Sequence, residues 1–241
     1  MSNNIIIIPC AGRSSRMQSD TPKPLTLIKN RPFLNYLLES LNHRFDQFII
    51  PIPDDKNLQE VFFKSIESAY INKIKFVPSE PGSGDAQAIL DGLESVSLDF
   101  EHCFVCWGDT FFLEGFPFDR VFQQAASSKV RRSVYVPLVM GTNPYVSYEL
   151  DKDKVLRVFL SIDGNKFKKG YADQSVFVIN KRIKDELKNY KSNLPKKSEI
   201  NFLKFISSIS GGDRVMPIVL NSRFTRSFNT QDELHELMGI I

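Results

Sequence analysis

The sequence has little of what marks several protein classes. It contains only 3 cysteines, an odd number, which argues against a disulfide framework and favours a reducing compartment. The N-terminal apolar run Ile5–Ile8 is far shorter than the ~18 residues of a membrane span or the ~7–15 of a signal-peptide core. Lys and Arg number 31 against 28 Asp and Glu, too small an excess for a nucleic-acid groove. We therefore expect a cytoplasmic protein with neither nucleic acid nor membrane as partner.

The remaining composition is that of an ordinary folded enzyme. Apolar residues make up 42% of the 241 residues and charged residues 24%, which excludes a rod or a disordered tail. Apolar runs alternate with helical patterns in the first half, which predicts an α/β fold with helices around a mixed, mainly parallel sheet. No linker or repeat interrupts the chain, so we expect residues 1–241 to form one domain. Strands are predicted at 5–8, 47–52, 73–77, 103–107, 133–140, 146–150, 154–162, 175–179 and 214–220, and helices at 33–41, 58–70, 86–96, 118–128, 181–190, 200–208 and 231–238.

The segment after the first strand combines small residues with positive charge. It reads Pro9-Cys-Ala-Gly-Arg-Ser-Ser-Arg-Met17, and Pro22-Lys-Pro-Leu25 follows. Small residues let backbone amides approach an anion, and ligands of open α/β sheets bind at strand ends. The segment contains neither a Walker loop nor a dinucleotide-binding Gly-x-Gly-x-x-Gly. This arrangement suits a triphosphate.

This pattern resembles the signature of the nucleotidyltransferases that activate sugar phosphates and related phosphomonoesters. The resemblance implies a single-domain GT-A-like fold, use of Mg²⁺ and release of pyrophosphate. It also implies that Arg16 and Lys23 are catalytic residues that contact the phosphates. Residues of about 1–130 would bind the nucleotide and residues of about 131–241 the acceptor.

Further segments agree with that family. Glu80-Pro-Gly-Ser-Gly-Asp-Ala-Gln-Ala-Ile89 is similar to the loop and helix start that lie against the base. We favour CTP as the nucleotide, because the chain is compact and lacks a sugar-phosphate motif, while UTP, dTTP and GTP stay open. The predicted nucleotide-binding residues are Ala11, Gly12, Arg13, Ser14, Ser15, Glu80, Gly82, Ser83, Gly84 and Asp85.

The metal site is predicted at the end of the strand Cys103-Phe-Val-Cys-Trp-Gly-Asp109. A carboxylate there needs a cation, and Mg²⁺ would supply it; the alternative is that Asp109 caps a following helix or turn. The family position makes Asn229 the second ligand, although Asp232 is also a candidate and Asn229 would equally serve as a cap with Thr230.

Cys103 and Cys106 have the spacing of half a zinc site. Residues three apart in a strand point to opposite faces, so we expect two core cysteines instead.

The acceptor region departs from the sugar-nucleotide members. Many of them carry Val-x-Glu-Lys near the middle, whereas Val155-Leu-Arg-Val-Phe-Leu-Ser-Ile-Asp163 lacks the Glu-Lys pair. Basic residues that would replace the charge, or else form a solvated hairpin, are Arg157, Lys166, Lys168 and Lys169, and we take Arg157 and Lys168 as acceptor-binding. Asp173 and Gln174 would also meet the acceptor, or simply form a polar strand end.

The resulting hypothesis is transfer of an NMP group, CMP favoured, from an NTP to a small phosphomonoester. The resemblance to phosphocholine-type cytidylyltransferases implies service in capsule or other surface-polysaccharide decoration. The alternatives are a sugar-1-phosphate uridylyl-, thymidylyl- or guanylyltransferase and, in another class, a GT-A glycosyltransferase that consumes a nucleotide sugar. The glycosyltransferase is disfavoured, because Gly108-Asp109-Thr110 offers one aspartate where such an enzyme needs two.

Overall fold

A computed structural model describes residues 4–12, 21–128, 134–196 and 198–241. The strands are β1 (Ile5–Ile7), β2 (Leu27–Ile28), β3 (Arg31–Pro32), β4 (Gln47–Pro53), β5 (Ile74–Ser79), β6 (His102–Cys106), β7 (Thr110–Phe112), β8 (Val134–Thr142), β9 (Val146–Asp151), β10 (Lys154–Leu160), β11 (Lys169–Asp173), β12 (Val176–Asn180), β13 (Val215–Val219) and β14 (Thr225–Ser227). The helices are α1 (Phe33–Leu41), α2 (Lys56–Ser65), α3 (Ser68–Ile71), α4 (Asp85–Ser95), α5 (Phe118–Ala126), α6 (Ile183–Ser192), α7 (Phe202–Ile209) and α8 (Gln231–Met238), with 3₁₀ turns at Lys23–Leu25 and Ser161–Asp163.

One mixed sheet runs through both halves of the chain. Its order is β10-β9-β11-β8-β12-β6-β1-β4-β5, with β13 beside β8. The N-terminal strands β6, β1, β4 and β5 pair in parallel, as short apolar runs linked through helices favour. The C-terminal strands β8 to β12 pair antiparallel; β9 and β10 form a hairpin, and the other pairs join strands that are not consecutive in the chain. The α/β class and the mixed sheet are therefore confirmed.

Helices cover both faces of this sheet. One apolar core contains residues of α4, α6 and α7, and the other contains residues of α1, α2 and α5. Cys103 belongs to the first core and Cys106 to the second, and both thiols are free and buried. The prediction that they lie on opposite faces is confirmed. Within the described ranges, no helix has both the length and the apolar character that crossing a bilayer demands.

One local prediction was wrong, and β11 and the β7–β14 ribbon were not predicted. The helical pattern at 58–70 is divided into α2 and α3, because Ile66 is extended with φ −85° and ψ 133°. Residues 169–173 form a strand of their own, β11, which pairs with β8 and with β9. The two-stranded ribbon β7–β14 was missed as well; its strands have three residues each, too few to show a period.

Candidate active site

The β7–β14 ribbon brings two distant parts of the chain together. Thr110 lies opposite Ser227 in its antiparallel register. Asp109 directly precedes β7, and Phe228 and Asn229 directly follow β14, so all three lie at one end of the ribbon. Phe228 is fully buried and packs edge-on against Phe33, with ring centroids 5.1 Å apart. This anchor fixes Asn229 beside the end of β6.

A glycine lets the Lys23 segment approach the same point. A Cβ atom at Gly108 would lie 2.7 Å from Cys10 Sγ and 3.0 Å from Pro24 Cγ. Any larger residue would push the end of β1 and the 3₁₀ turn away from β6. Pro24 is buried in that turn, and Lys23 precedes it. Close packing at Gly108 therefore holds Lys23 against Asp109.

The side chains of Lys23, Asp109 and Asn229 meet. Lys23 Nζ donates to Asp109 Oδ2 and, at 3.0 Å, to Asn229 Oδ1. The Lys23 and Asp109 side chains are only 15% and 17% exposed, so water screens their charges weakly. The ammonium also lies 5.2 Å from the centre of the Phe228 ring, within cation–π range. Three residues predicted from separate motifs thus form one cluster.

Thr230, and not Asn229, caps the N-terminus of α8. Thr230 Oγ1 accepts from the Glu233 amide at 3.2 Å, and a Glu233 carboxylate oxygen accepts from the Thr230 amide at 3.1 Å. This reciprocal capping box begins α8 and leaves the Asn229 side chain directed at Lys23. Asp232 is exposed on α8. Asp109 precedes a strand rather than a helix, and its carboxylate accepts from Lys23.

The oxygens of Asp109 and Asn229 converge on a single cation position, which the Lys23 ammonium fills. One carboxylate and one amide oxygen are hard donors of the kind that Mg²⁺ takes, with its other ligands coming from phosphates and water. In the described part of the chain, no group of three or more His, Cys, Asp or Glu side chains is placed to hold a metal. The donor set therefore fits a magnesium ion shared with a substrate and not a closed protein cage.

A cavity of about 550 Å³ opens beside this cluster. Asp109 and Asn229 line it, and the other walls come from β8–β9, β11, α7, the β13–β14 connection and β14. Its volume lies within the ~300–1,000 Å³ of small-molecule sites. The remaining lining residues are Trp107, Gly141, Thr142, Asn143, Pro144, Tyr145, Val146, Ala172, Asp173, Ser175, Leu203, Arg223, Arg226 and Ser227.

The two polar residues predicted before β12 occupy different positions. Asp173 lines the cavity and accepts from Tyr148 Oη at 3.1 Å and from the Ser175 amide at 2.8 Å. Burial raises the pKa of Asp173, and the hydrogen bonds from Ser175 and Tyr148 oppose that shift.

Gln174 is fully buried instead. Its Oε1 accepts from the Phe224 amide at 2.9 Å and from Thr225 Oγ1 at 3.2 Å. A fully buried side chain touches no solute, so any effect of Gln174 on an acceptor passes through the segment that it holds.

The basic residues predicted for the acceptor lie away from this cavity. Arg157 is on β10 with its side chain 74% exposed, 3.9 Å from Glu149. Lys168 is exposed, and neither residue lines the cavity. Among the residues that the structure describes, the cationic side chains that do line it are Arg223 and Arg226. The sequence offered a signal for them, two arginines three residues apart just before the Asn229 motif, but that segment was not singled out.

The loop predicted to bind the base is held by the start of α7. The Ile200 amide donates to the Ser83 carbonyl at 2.8 Å, and the Ala86 amide donates to the Ile200 carbonyl at 3.0 Å. Gly84 has φ +98°, and a Cβ there would lie 2.3 Å from the Ile200 carbonyl oxygen, so only glycine fits. Glu80, Gly82 and Ser83 line a second cavity of about 830 Å³, between α4 and α6.

Asp85 begins α4, and its carboxylate accepts from the Phe202 amide at 2.7 Å. Burial raises the pKa of Asp85 to about 6, against the lowering effect of hydrogen bonds from Phe202 and Ala86. The contact ties α4 to α7.

The first predicted motif is described only in part. Ala11 is buried and Gly12 exposed just beyond β1, and the Cys10 amide donates to the Pro51 carbonyl at 2.8 Å. Arg13, Ser14, Ser15 and Arg16 lie outside the described residues. Their roles, and that of the base loop, stay predictions.

Comparison with known proteins gives one family and several partial relatives. A family model described as the MobA-like NTP transferase domain matches residues 6–188. A 2-C-methyl-D-erythritol 4-phosphate cytidylyltransferase of Clostridium botulinum is 36% identical over 104 residues, which are 42% of this chain and 44% of that protein. The bifunctional protein GlmU of Caldicellulosiruptor saccharolyticus is 27% identical over 108 residues, 45% of this chain and 22% of that protein. The matches thus span less than half the length of these relatives.

Solved structures match over nearly the whole chain. The inositol-1-phosphate CTP transferase of T. maritima has a TM-score of 0.73 and 15% identity, covering 99% of this chain and 96% of its own. HddC of Yersinia pseudotuberculosis has a TM-score of 0.72 and 17% identity, covering 99% of both chains, and its complex with GMP-PN also matches. At this identity the likeness shows a shared fold.

Proposed function

Because the chain belongs to the MobA-like NTP transferase family, we propose that it transfers a nucleoside monophosphate from an NTP to a phosphomonoester and releases pyrophosphate. The observation that carries the proposal is the convergence of Lys23, Asp109 and Asn229 beside a substrate-sized cavity. That arrangement offers positive charge and oxygen ligands at one point, which is what a triphosphate and its metal need.

The reaction asks little of protein side chains beyond alignment and charge neutralisation. An oxygen of the acceptor phosphate is already anionic and attacks the nucleotide α-phosphorus without a general base. The new P–O bond forms as the bond from the α-phosphorus to the bridging oxygen breaks, and pyrophosphate leaves with that electron pair. Lys23 neutralises phosphate charge during this exchange. Asp109 and Asn229 would hold a magnesium ion, which when bound lowers the charge on the phosphates.

CMP is the favoured group. The relatives that match at 36% identity are cytidylyltransferases, and a structural neighbour is a CTP transferase, which supports CTP as the first nucleotide to test. A small acceptor is favoured by the cavity volume and by the absence of the sugar-phosphate Glu-Lys pair. Service in surface-polysaccharide decoration stays a prediction from the resemblance.

The test is a pyrophosphate-release screen of four NTPs against a panel of phosphomonoesters. We expect release that needs both substrates and a divalent ion, and that EDTA abolishes. Asp109→Asn should melt normally and lose about a hundredfold of turnover, the effect of one strengthened charged contact worth ~3 kcal/mol. Asp99→Asn is the matched control, since Asp99 is 96% exposed beside Lys181. Full activity of Asp109→Asn at limiting magnesium would contradict the proposal, and so would consumption of a nucleotide sugar without pyrophosphate release.

A further inference from the structure

Two arginines outside the predicted motifs, Arg223 and Arg226, line the cavity beside the cluster of Lys23, Asp109 and Asn229. Arg223 and Arg226 both line the 550 Å³ cavity, and both also line a second, smaller cavity of about 290 Å³. Glu233 and Glu236 line only the smaller cavity, where they disfavour an anion. An anion that meets both guanidinium groups is therefore better placed on the side of Asp109 and Asn229.

The described part of the chain does not fully compensate the charge of this pair. Among the ion pairs of the described ranges, neither arginine has a carboxylate within 4.0 Å. Partial burial lowers the pKa of Arg223; the charge of Asp173 opposes this shift, and Arg226 adds to it. The two like charges are thus close enough to repel each other. A bound dianion would relieve that repulsion, since planar guanidinium groups match phosphate oxygens.

The segment that carries the arginines is held firmly. Gln174 accepts from the Phe224 amide and the Thr225 hydroxyl, between the two arginines. Arg226 lies opposite Phe111 in the β7–β14 ribbon, one residue before the Ser227–Thr110 pair that leads to Asp109. A Cβ atom at Gly141 would lie 3.7 Å from Arg223 Nη2. The Arg223 guanidinium group therefore packs beside the backbone of Gly141, where no side chain intervenes. The arginines therefore share the scaffold that positions the reaction centre.

We propose that Arg223 and Arg226 bind the phosphate of the acceptor and present it to the nucleotide. This inference rests on the proposed function and names the acceptor subsite of the same centre. It assigns to Arg223 of the β13–β14 connection and Arg226 of β14 the charge that Arg157 and Lys168 were predicted to supply. The preferred acceptor is a dianionic phosphomonoester, and the neutral alcohol without its phosphate is not bound.

The test uses the full-length enzyme and the best acceptor of the pyrophosphate-release screen. Arg223→Gln and Arg226→Gln should each raise the acceptor KM by roughly tenfold to a hundredfold, the loss of one charge-assisted contact, and leave the KM of the NTP unchanged. Arg120→Gln, an exposed arginine of α5 outside both cavities, is the matched control. An unchanged acceptor KM in both variants, or a rise only in Arg157→Gln and Lys168→Gln, would overturn the assignment.

A second measurement separates this inference from the proposed function. Inorganic phosphate is titrated calorimetrically into the wild type, Arg223→Gln, Arg223→Lys and Arg226→Gln. We expect binding to the wild type, weaker binding to Arg223→Lys and loss of binding in both Gln variants. That result supports the subsite whether or not the enzyme releases pyrophosphate. If no pair of substrates releases pyrophosphate, only the proposed function is refuted. Equal phosphate binding by all four proteins would refute the subsite alone.

Discussion

Replacing Lys23 with methionine removes the ammonium group between Asp109 and Asn229 and keeps an unbranched side chain. Two effects of opposite sign should follow. The triphosphate loses a charged contact that strengthens in the transition state, so turnover should fall about a hundredfold for ~3 kcal/mol. The oxygens of Asp109 and Asn229 lose the cation that occupies their common position, so a divalent ion should bind the nucleotide-free protein more tightly.

The size of the second effect can be worked from the contact. An ammonium and a carboxylate ~3 Å apart attract by about 5 kcal/mol at an effective dielectric constant of ~20. Water solvates the ammonium when an ion displaces it, and the partial exposure of both side chains reduces the attraction further. We therefore expect a net gain of ~1–2 kcal/mol, which is about tenfold in affinity.

The assay is titration of Mn²⁺ into nucleotide-free protein, followed by electron paramagnetic resonance, with turnover measured on the same preparations. Lys64→Met is the matched control, because Lys64 is 74% exposed and pairs with Glu60 on its own helix. Unchanged or weaker Mn²⁺ binding in Lys23→Met would refute the shared cation position. Normal turnover in the same variant would remove Lys23 from the catalytic centre.

Other predictions concern the base loop, the core and the second ligand. The pKa of Asp85 is raised to about 6 from 3.8. Between pH 3.8 and about pH 6 the folded protein therefore binds more protons than the unfolded chain, and its stability falls as the pH rises through this range. Asp85→Asn should flatten that dependence and stabilise the protein at neutral pH by ~1–2 kcal/mol. The full pKa shift would correspond to about 3 kcal/mol, and solvent access to part of the residue reduces this value. The same pH dependence of urea unfolding in the variant and the wild type would contradict this prediction. Cys103→Ala combined with Cys106→Ala should leave turnover and its metal dependence intact, whereas protein-bound zinc and lost activity would contradict the core assignment. Asn229→Ala should weaken Mn²⁺ binding and Asp232→Asn should not; the reverse would make Asp232 the second ligand.

Much of the site was predictable because its motifs are local. Lys23 follows a strand and a small-residue turn, and Asp109 ends a buried apolar run, so each was recognisable within one continuous segment of sequence. The sequence did not decide whether Asn229 is a metal ligand or a helix cap, because an asparagine followed by a threonine before a helix suits either role. The acceptor half was predicted least well. Its five-residue strand β11 has no apolar run long enough to show a period.

The sequence by itself determined the α/β class and the parallel pairing of the N-terminal strands, and it identified Lys23 and Asp109 as candidate site residues. These follow from apolar periodicity and from residue types that are close along the chain. Only the tertiary structure decided that Thr230 takes the cap and leaves Asn229 for Lys23, and that Arg223 and Arg226 line the cavity while Arg157 and Lys168 do not. Those outcomes depend on the β7–β14 register and on close packing at Gly108. Both join residues about a hundred positions apart, and such pairings leave no trace in local sequence.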